Sequence, residues 1–203
     1  MGPVTAFILS GGRSSRMGRD KNSLLLGNRT LLARAIETAQ AAGGVVFVVG
    51  PQTSLEAASA DASVRIVEDR FRGQGPLAGI HAALKASSTD LNFIMAVDMP
   101  FVTPGLIQYL VQRAARTEAL VVVPRTGKHL HPLCAVYRRA FAAIAEPALV
   151  AGNNKIDALF SSTAVEHVRE DELTNAGFVV SIFDNVNSPE DFARAEARLR
   201  SRR

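Results

Sequence analysis

The chain has 203 residues, 47% hydrophobic and 21% charged, which suits a single domain able to bury a sizeable core. No apolar run approaches the ~18 residues that span a bilayer, and the start lacks a basic stretch followed by an apolar one, so neither a membrane partner nor a secretory signal is expected. The net charge of +4 comes from Arg194, Arg198, Arg200, Arg202 and Arg203; without them 18 basic residues face 19 acidic ones.

Those arginines read as a solvated helix end favoured by the helix dipole. Two Tyr and no Trp offer little for base stacking, so nucleic acid is not expected as a partner. The lone cysteine, Cys134 in "HPLCAVY", forms no internal disulfide and reads as a small buried strand residue. It fits a reducing, cytoplasmic setting.

In chain order, 4–9, 45–49, 64–67, 91–97 and 120–123 are short apolar runs that read as strands buried on both faces of a mainly parallel sheet. Helical patterns separate them. Thr30 is a plausible N-cap for 31–42, where Leu32, Ala35, Ile36 and Ala39 share a face and Gly43 ends the run. Residues 76–86 and 104–116 have the same character, each with a proline near its start. Beyond 124 come a turn-rich "RTGKHLHP", a short strand "LCAVY" and a helix over 138–149. Ser188, Pro189, Glu190 and Asp191 then open a last helix with an N-cap, a proline and acids in its first turn. Such alternation predicts an α/β doubly wound sheet with right-handed crossovers and ligands beyond the carboxyl ends of the strands.

One stretch at such an end stands out. After the first strand, "SGGRSSRMGRDK" (10–21) turns on two glycines and carries Arg13, Arg16, Arg19 and Lys21 with Asp20 as its only acid. Consecutive glycines let backbone N–H groups converge on phosphate oxygens, and arginine and lysine complete such a nest. The spacing fits neither a Walker A loop nor a G-x-G-x-x-G fingerprint. The expectation is a polyphosphate site. Asp98 ends the apolar strand of "IMAVDMP" and, if the two strands are neighbours, faces the basic loop. A carboxylate there suits Mg²⁺, which takes one or two carboxylates plus phosphate oxygens and water.

"LSGGRSSRMGRDK" (9–21) closely resembles the signature of molybdenum-cofactor guanylyltransferases and related nucleotidyltransferases. "GPLAGIHAAL" (75–84), "VDMPF" (97–101), "HPLCAVY" (131–137) and "NVNSPEDF" (185–192) resemble further blocks of that family, in order and over almost the whole chain. The resemblance implies a Rossmann-like three-layer αβα sandwich, similar to the nucleotide-diphospho-sugar transferases. It implies a single domain over 1–203, with nucleotide on about 1–100 and acceptor on about 101–203. The implied reaction joins GTP and molybdopterin, the terminal phosphate of the acceptor attacking the α-phosphate of GTP and releasing pyrophosphate. A cytidylyltransferase for molybdopterin, a guanylyltransferase for a small phosphorylated acid, and a non-catalytic cofactor-delivery module are the alternatives.

By position, the resemblance assigns nucleotide binding to Leu9, Ser10, Gly11, Gly12, Arg13, Lys21, Asp69 and Asp98. Arg16, Lys21 and Asp98 would be catalytic, Asp98 also the Mg²⁺ ligand. His131, Lys155, Asn185 and Asn187 would meet the acceptor, and transient contact with a molybdoenzyme or its chaperone is implied. His129 and His131, two apart on an extended segment, could share a face, but Cys134 reads as buried strand filling and no third His lies near to complete a metal site. In two places the chain departs from the family: Arg72 lies near the place of an acid before "GPLAG", with Asp69 several residues upstream, and Gly50-Pro51 stands where an asparagine is expected. Backbone groups or Gln74 are then the expected acceptors for a guanine.

Overall fold

The computed structural model describes residues 4–10, 21–50 and 64–201. It opens with β1 (Thr5–Leu9), buried at every position. A 3-10 turn (Lys21–Ser23) leads into a small hairpin, β2 (Leu25–Leu26) and β3 (Arg29–Thr30), and then α1 (Leu31–Ala41). Thr30 caps that helix as its sequence suggests, its hydroxyl accepting from the Ala33 N–H at 3.1 Å. There follow β4 (Val45–Val49), β5 (Arg65–Val67), α2 (Pro76–Ala86), β6 (Leu91–Ala96) and α3 (Pro104–Ala114). The second half holds β7 (Val121–Thr126), β8 (His129–Leu130), β9 (Cys134–Arg138), α4 (Ala142–Val150) and α5 (Ile156–Phe160). It closes with β10 (Val165–Arg169), α6 (Glu170–Asn175) and α7 (Pro189–Arg200).

The sheet runs β10-β7-β9-β6-β1-β4-β5, with β8 added to β7. Every pairing from β6 through β1 and β4 to β5 is parallel, as is β7 with β10; β9 alone lies antiparallel between β6 and β7. The strand period of two splits the core. Ala6, Ile8, Phe93 and Met95 face α1 and α3, while Phe7, Leu9 and Ile94 face α2 and α4. The result is a three-layer αβα sandwich on a mainly parallel sheet. No helix among the described residues is long and apolar enough to cross a membrane.

Two readings of the second half need correction. The helix expected over 138–149 begins at Ala142, because Arg138 still pairs opposite Leu91 as the last strand residue. Its guanidinium is held by the carbonyl of Thr117 at 2.6 Å and by Asp90, and a 3-10 turn (Arg139–Phe141) intervenes. Strand β10 and helix α6 were not anticipated. "VEHVR" sits at a half-exposed sheet edge, where only Val168 is fully buried, so its apolar signal is weak.

Candidate active site

Parallel pairing of β1 with β6 brings two loops together. The Val97 N–H donates to the carbonyl of Leu9 at 3.1 Å, so Asp98 leaves the sheet beside the exit of the first strand. Ser10 fixes that exit by donating its N–H and its hydroxyl to the Val49 carbonyl at 2.9 and 3.1 Å. Its own carbonyl accepts from the buried Asn22 amide at 3.2 Å, drawing the turn that carries Lys21 back over the end of the sheet. Gly79 of α2 packs against the same exit. A Cβ there would stand 3.3 Å from a methyl of Leu9, so glycine permits the helix to close on the strand.

Lys21 is the hub. Its ammonium donates to Asp98 Oδ2 at 2.7 Å and to Asn187 Oδ1 at 2.5 Å. An ammonium has three protons, so one donor remains for a ligand. The ion pair is largely sheltered, the side chains of Lys21 and Asp98 being 17% and 15% exposed. Asp98 Oδ1 is buried and accepts no hydrogen bond. A buried carboxylate oxygen without a partner is costly unless something occupies the space before it.

That oxygen fits a hard divalent cation, which takes one or two carboxylates and completes its shell with phosphate oxygens and water. No group of three His, Cys, Asp or Glu among the described residues forms an all-protein cage. The donor set is therefore one that a phosphate-bearing ligand would complete.

Asn187 arrives on a short strap between α6 and α7. Val186 is buried, and its N–H donates to the Asp98 carbonyl at 2.8 Å. Asp191, in the first turn of α7, accepts from the N–H groups of Asn187 and Ser188 at 3.0 and 2.9 Å, while Ser188 caps Asp191 in return. Burial pushes the Asp191 carboxyl up, but the N–H of Asn187, the hydroxyl and N–H of Ser188 and the nearby Arg194 outweigh it and hold its pKa low. Thus the "NSPED" stretch both starts a helix and aims an asparagine.

The other residues singled out from sequence have surroundings of their own. Asp69 is half-buried after β5, and its Oδ1 accepts from the Phe71 N–H at 2.8 Å as a turn cap. Asn185 is exposed on the strap, and Lys155 is exposed at the start of α5. His131 is half-buried, its Nε2 2.7 Å from the Thr126 hydroxyl and its ring stacked 4.2 Å from Phe183. Burial, and secondly the neighbouring His129, lowers its pKa to about 4, so near neutral pH it carries no positive charge for a phosphate. Gly11, Gly12, Arg13 and Arg16 lie outside the described residues.

Sequence reasoning placed Asn187 with the acceptor and missed its bond to Lys21. It also missed Asn22, whose only sequence signal is adjacency to that lysine. Gln74, between β5 and α2, has a buried Oε1 with no hydrogen-bond partner. Cys134 is wholly buried, and burial raises its thiol pKa, so it is inert strand filling.

Similarity to known proteins matches this geometry. The family model described as the MobA-like NTP transferase domain matches residues 6–184. A probable molybdenum cofactor guanylyltransferase of Pelotomaculum thermopropionicum is 33% identical over 200 residues, covering 98% of this chain and 95% of the relative. A molybdenum cofactor guanylyltransferase of Syntrophotalea carbinolica is 32% identical over 190 residues, covering 94% and 89%. Among solved structures, molybdopterin-guanine dinucleotide biosynthesis protein A from Archaeoglobus fulgidus is similar with a TM-score of 0.86 at 26% identity, covering 97% and 99% of the two chains.

Proposed function

Because the chain belongs to the MobA-like NTP transferase family, we propose that it transfers GMP from GTP to the terminal phosphate of molybdopterin, making it a molybdenum cofactor guanylyltransferase. A bond forms between an acceptor phosphate oxygen and the α-phosphorus, the α–β bridge breaks, and pyrophosphate leaves. The acceptor is itself an anionic nucleophile. No Ser-His-Asp arrangement is then required, and catalysis is alignment plus charge stabilisation.

The observation that carries this reading is the convergence of Lys21, Asp98 and Asn187 at the carboxyl ends of β1 and β6. In the proposal Lys21 turns its remaining proton to the triphosphate and steadies charge on the departing pyrophosphate. Asp98 holds it in place through Oδ2. Asp98 Oδ1 would hold a divalent cation, Mg²⁺ in this reading, which when bound draws charge from the phosphate oxygens. Leu9, Ser10 and Asp69, with the glycines and arginines of the first loop, bind the nucleotide. The acceptor lies over the second half of the chain, toward Lys155 and Asn185, with His131 supporting the strap from beneath. A cytoplasmic setting goes with the same reading, as does hand-over to a molybdoenzyme or its chaperone.

The test is pyrophosphate release with purified protein, GTP, Mg²⁺ and molybdopterin. Release that needs all three supports the reading. Tight GTP binding with no release under any condition would leave a delivery module instead.

A further inference from the structure

The C-terminal arginines read from sequence as one solvated cluster, yet Arg198 is built into the fold, its side chain 20% exposed. Its guanidinium lies 3.9 Å from the ring centroid of Phe101, well within cation–π range. The same group donates to the Ser181 carbonyl at 2.6 Å and reaches Asp184 Oδ2 at 3.2 Å. Asp184 is 60% exposed, so that ion pair contributes little. The carbonyl and the ring tie Arg198 to two other loops.

Phe101 closes the turn that starts at Asp98, and Ser181 begins the segment that leads to Asn187. Arg198 therefore joins the far ends of the two loops whose near ends meet at Lys21. The near ends are already tied by the Val186 N–H on the Asp98 carbonyl, 2.8 Å. Helix α7 anchors the strap from both of its ends, through Asp191 at its start and Arg198 near its close.

From this we infer that Arg198 is a positioning residue for transfer: it sets the spacing of Asp98 and Asn187 around the Lys21 ammonium without touching substrate. The inference rests on the guanylyl-transfer reading above. Lysine is a poor substitute, because its compact ammonium has no planar group to lie over Phe101 while it donates to the Ser181 carbonyl.

Arg198→Ala is expected to lower kcat about 10- to 100-fold, the range that small misplacements cost, with KM for GTP changed less than about threefold. In an Asn187→Ala background the same change should cost at least about threefold less, because one of the two groups it positions is gone. A second measurement is independent of activity: amide exchange at Val186 should accelerate at least about tenfold while Phe7 and Ile8 in β1 stay protected. Should Arg198→Ala fail to fold, Arg198→Met keeps the stem over Phe101, and the same cycle and exchange are read on it. Equal kcat losses in both backgrounds, or unchanged Val186 exchange, would overturn the inference. Wild-type protein that releases no pyrophosphate from GTP would instead remove the functional reading on which it stands.

Discussion

Lys21 donates to Asp98 Oδ2 at 2.7 Å across 77 residues of sequence, joining the turn after the first strand to the end of the fourth apolar run. The contact spans neighbouring parallel strands, so the sheet supplies the alignment and the side chains supply the charge. Neither residue is held by local sequence. Changing either should therefore report on chemistry more than on the formation of its own element.

Lys21→Ala is expected to slow transfer by about 10²–10³, the ~2.7–4 kcal/mol lost when one preorganised electrostatic contact is removed. Circular dichroism should show the fold intact at the assay temperature. Turnover within about threefold of wild type would reduce Lys21 to a structural tether for Asp98.

Asp98→Asn keeps the shape and the Val186 contact, since the latter uses the backbone carbonyl. It removes the charge a hard cation needs. Divalent-metal-dependent turnover should vanish while calorimetry still detects metal-free GTP binding. Unchanged dependence of rate on Mg²⁺ concentration would show that Oδ1 holds no metal.

Much of this centre was legible beforehand because the fold period is strong where the site is built. Continuous apolar runs gave β1, β4 and β6, and Thr30 and Ser188 marked helix starts by side chains that do cap them. Once β1 and β6 are neighbours, Asp98 must stand at the exit of the first strand. The meeting of Asn187 with Lys21 was not legible. It depends on the strap crossing from the second half of the chain, set by Val186 and Arg198, and no spacing rule encodes a contact over 166 residues. Arg198 was misread for a related reason. Its partners include a carbonyl and a ring from two other loops, and charge counting sees neither.

His131 gives a pH dependence of defined sign. Its folded pKa of about 4 lies below the ordinary 6.5, owing to burial first and His129 second. Above about 6.5 both folded and unfolded chains hold it neutral, and its stability contribution is complete. As pH falls, the unfolded chain takes up the proton first, so stability declines from about 6.5 and is lost through about 4. His131→Phe keeps a ring for Phe183 and removes the titration. Urea midpoints near neutral pH and near pH 5 should fall less in that variant than in wild type. An identical drop in both proteins would show that other groups set the acid response.

Base preference is not encoded by the triphosphate loop, because phosphates look alike under any base. The sheet places β5 three strands from β6, roughly 14 Å at ~4.8 Å per strand. In the proposed reading the triphosphate lies at Lys21 and Asp98 and the base reaches toward the loop after β5. Gln74 lies in that loop between Gly73 and Gly75, both with positive φ, and a Cβ added to either would meet nothing within 4 Å. Its Oε1 is buried without a donor, whereas Asp69 Oδ1 already serves the turn. Guanine offers N1–H and N2–H₂ to such an acceptor; adenine and cytosine lack that pair. A site that hydrogen-bonds a ligand group rejects the analogue lacking it by up to ~10⁴. We therefore expect kcat/KM for GTP to exceed that for ATP and CTP, and Gln74→Leu to narrow the GTP to ATP ratio by at least about tenfold. The melting temperature should hold or rise, since an unpaired buried acceptor disappears. Gln74→Glu, an acceptor of the same shape, should keep the preference. An unaltered ratio in Gln74→Leu would move guanine recognition to backbone groups. A wild-type kcat/KM for CTP at or above that for GTP would instead favour cytidylyl transfer on the same fold.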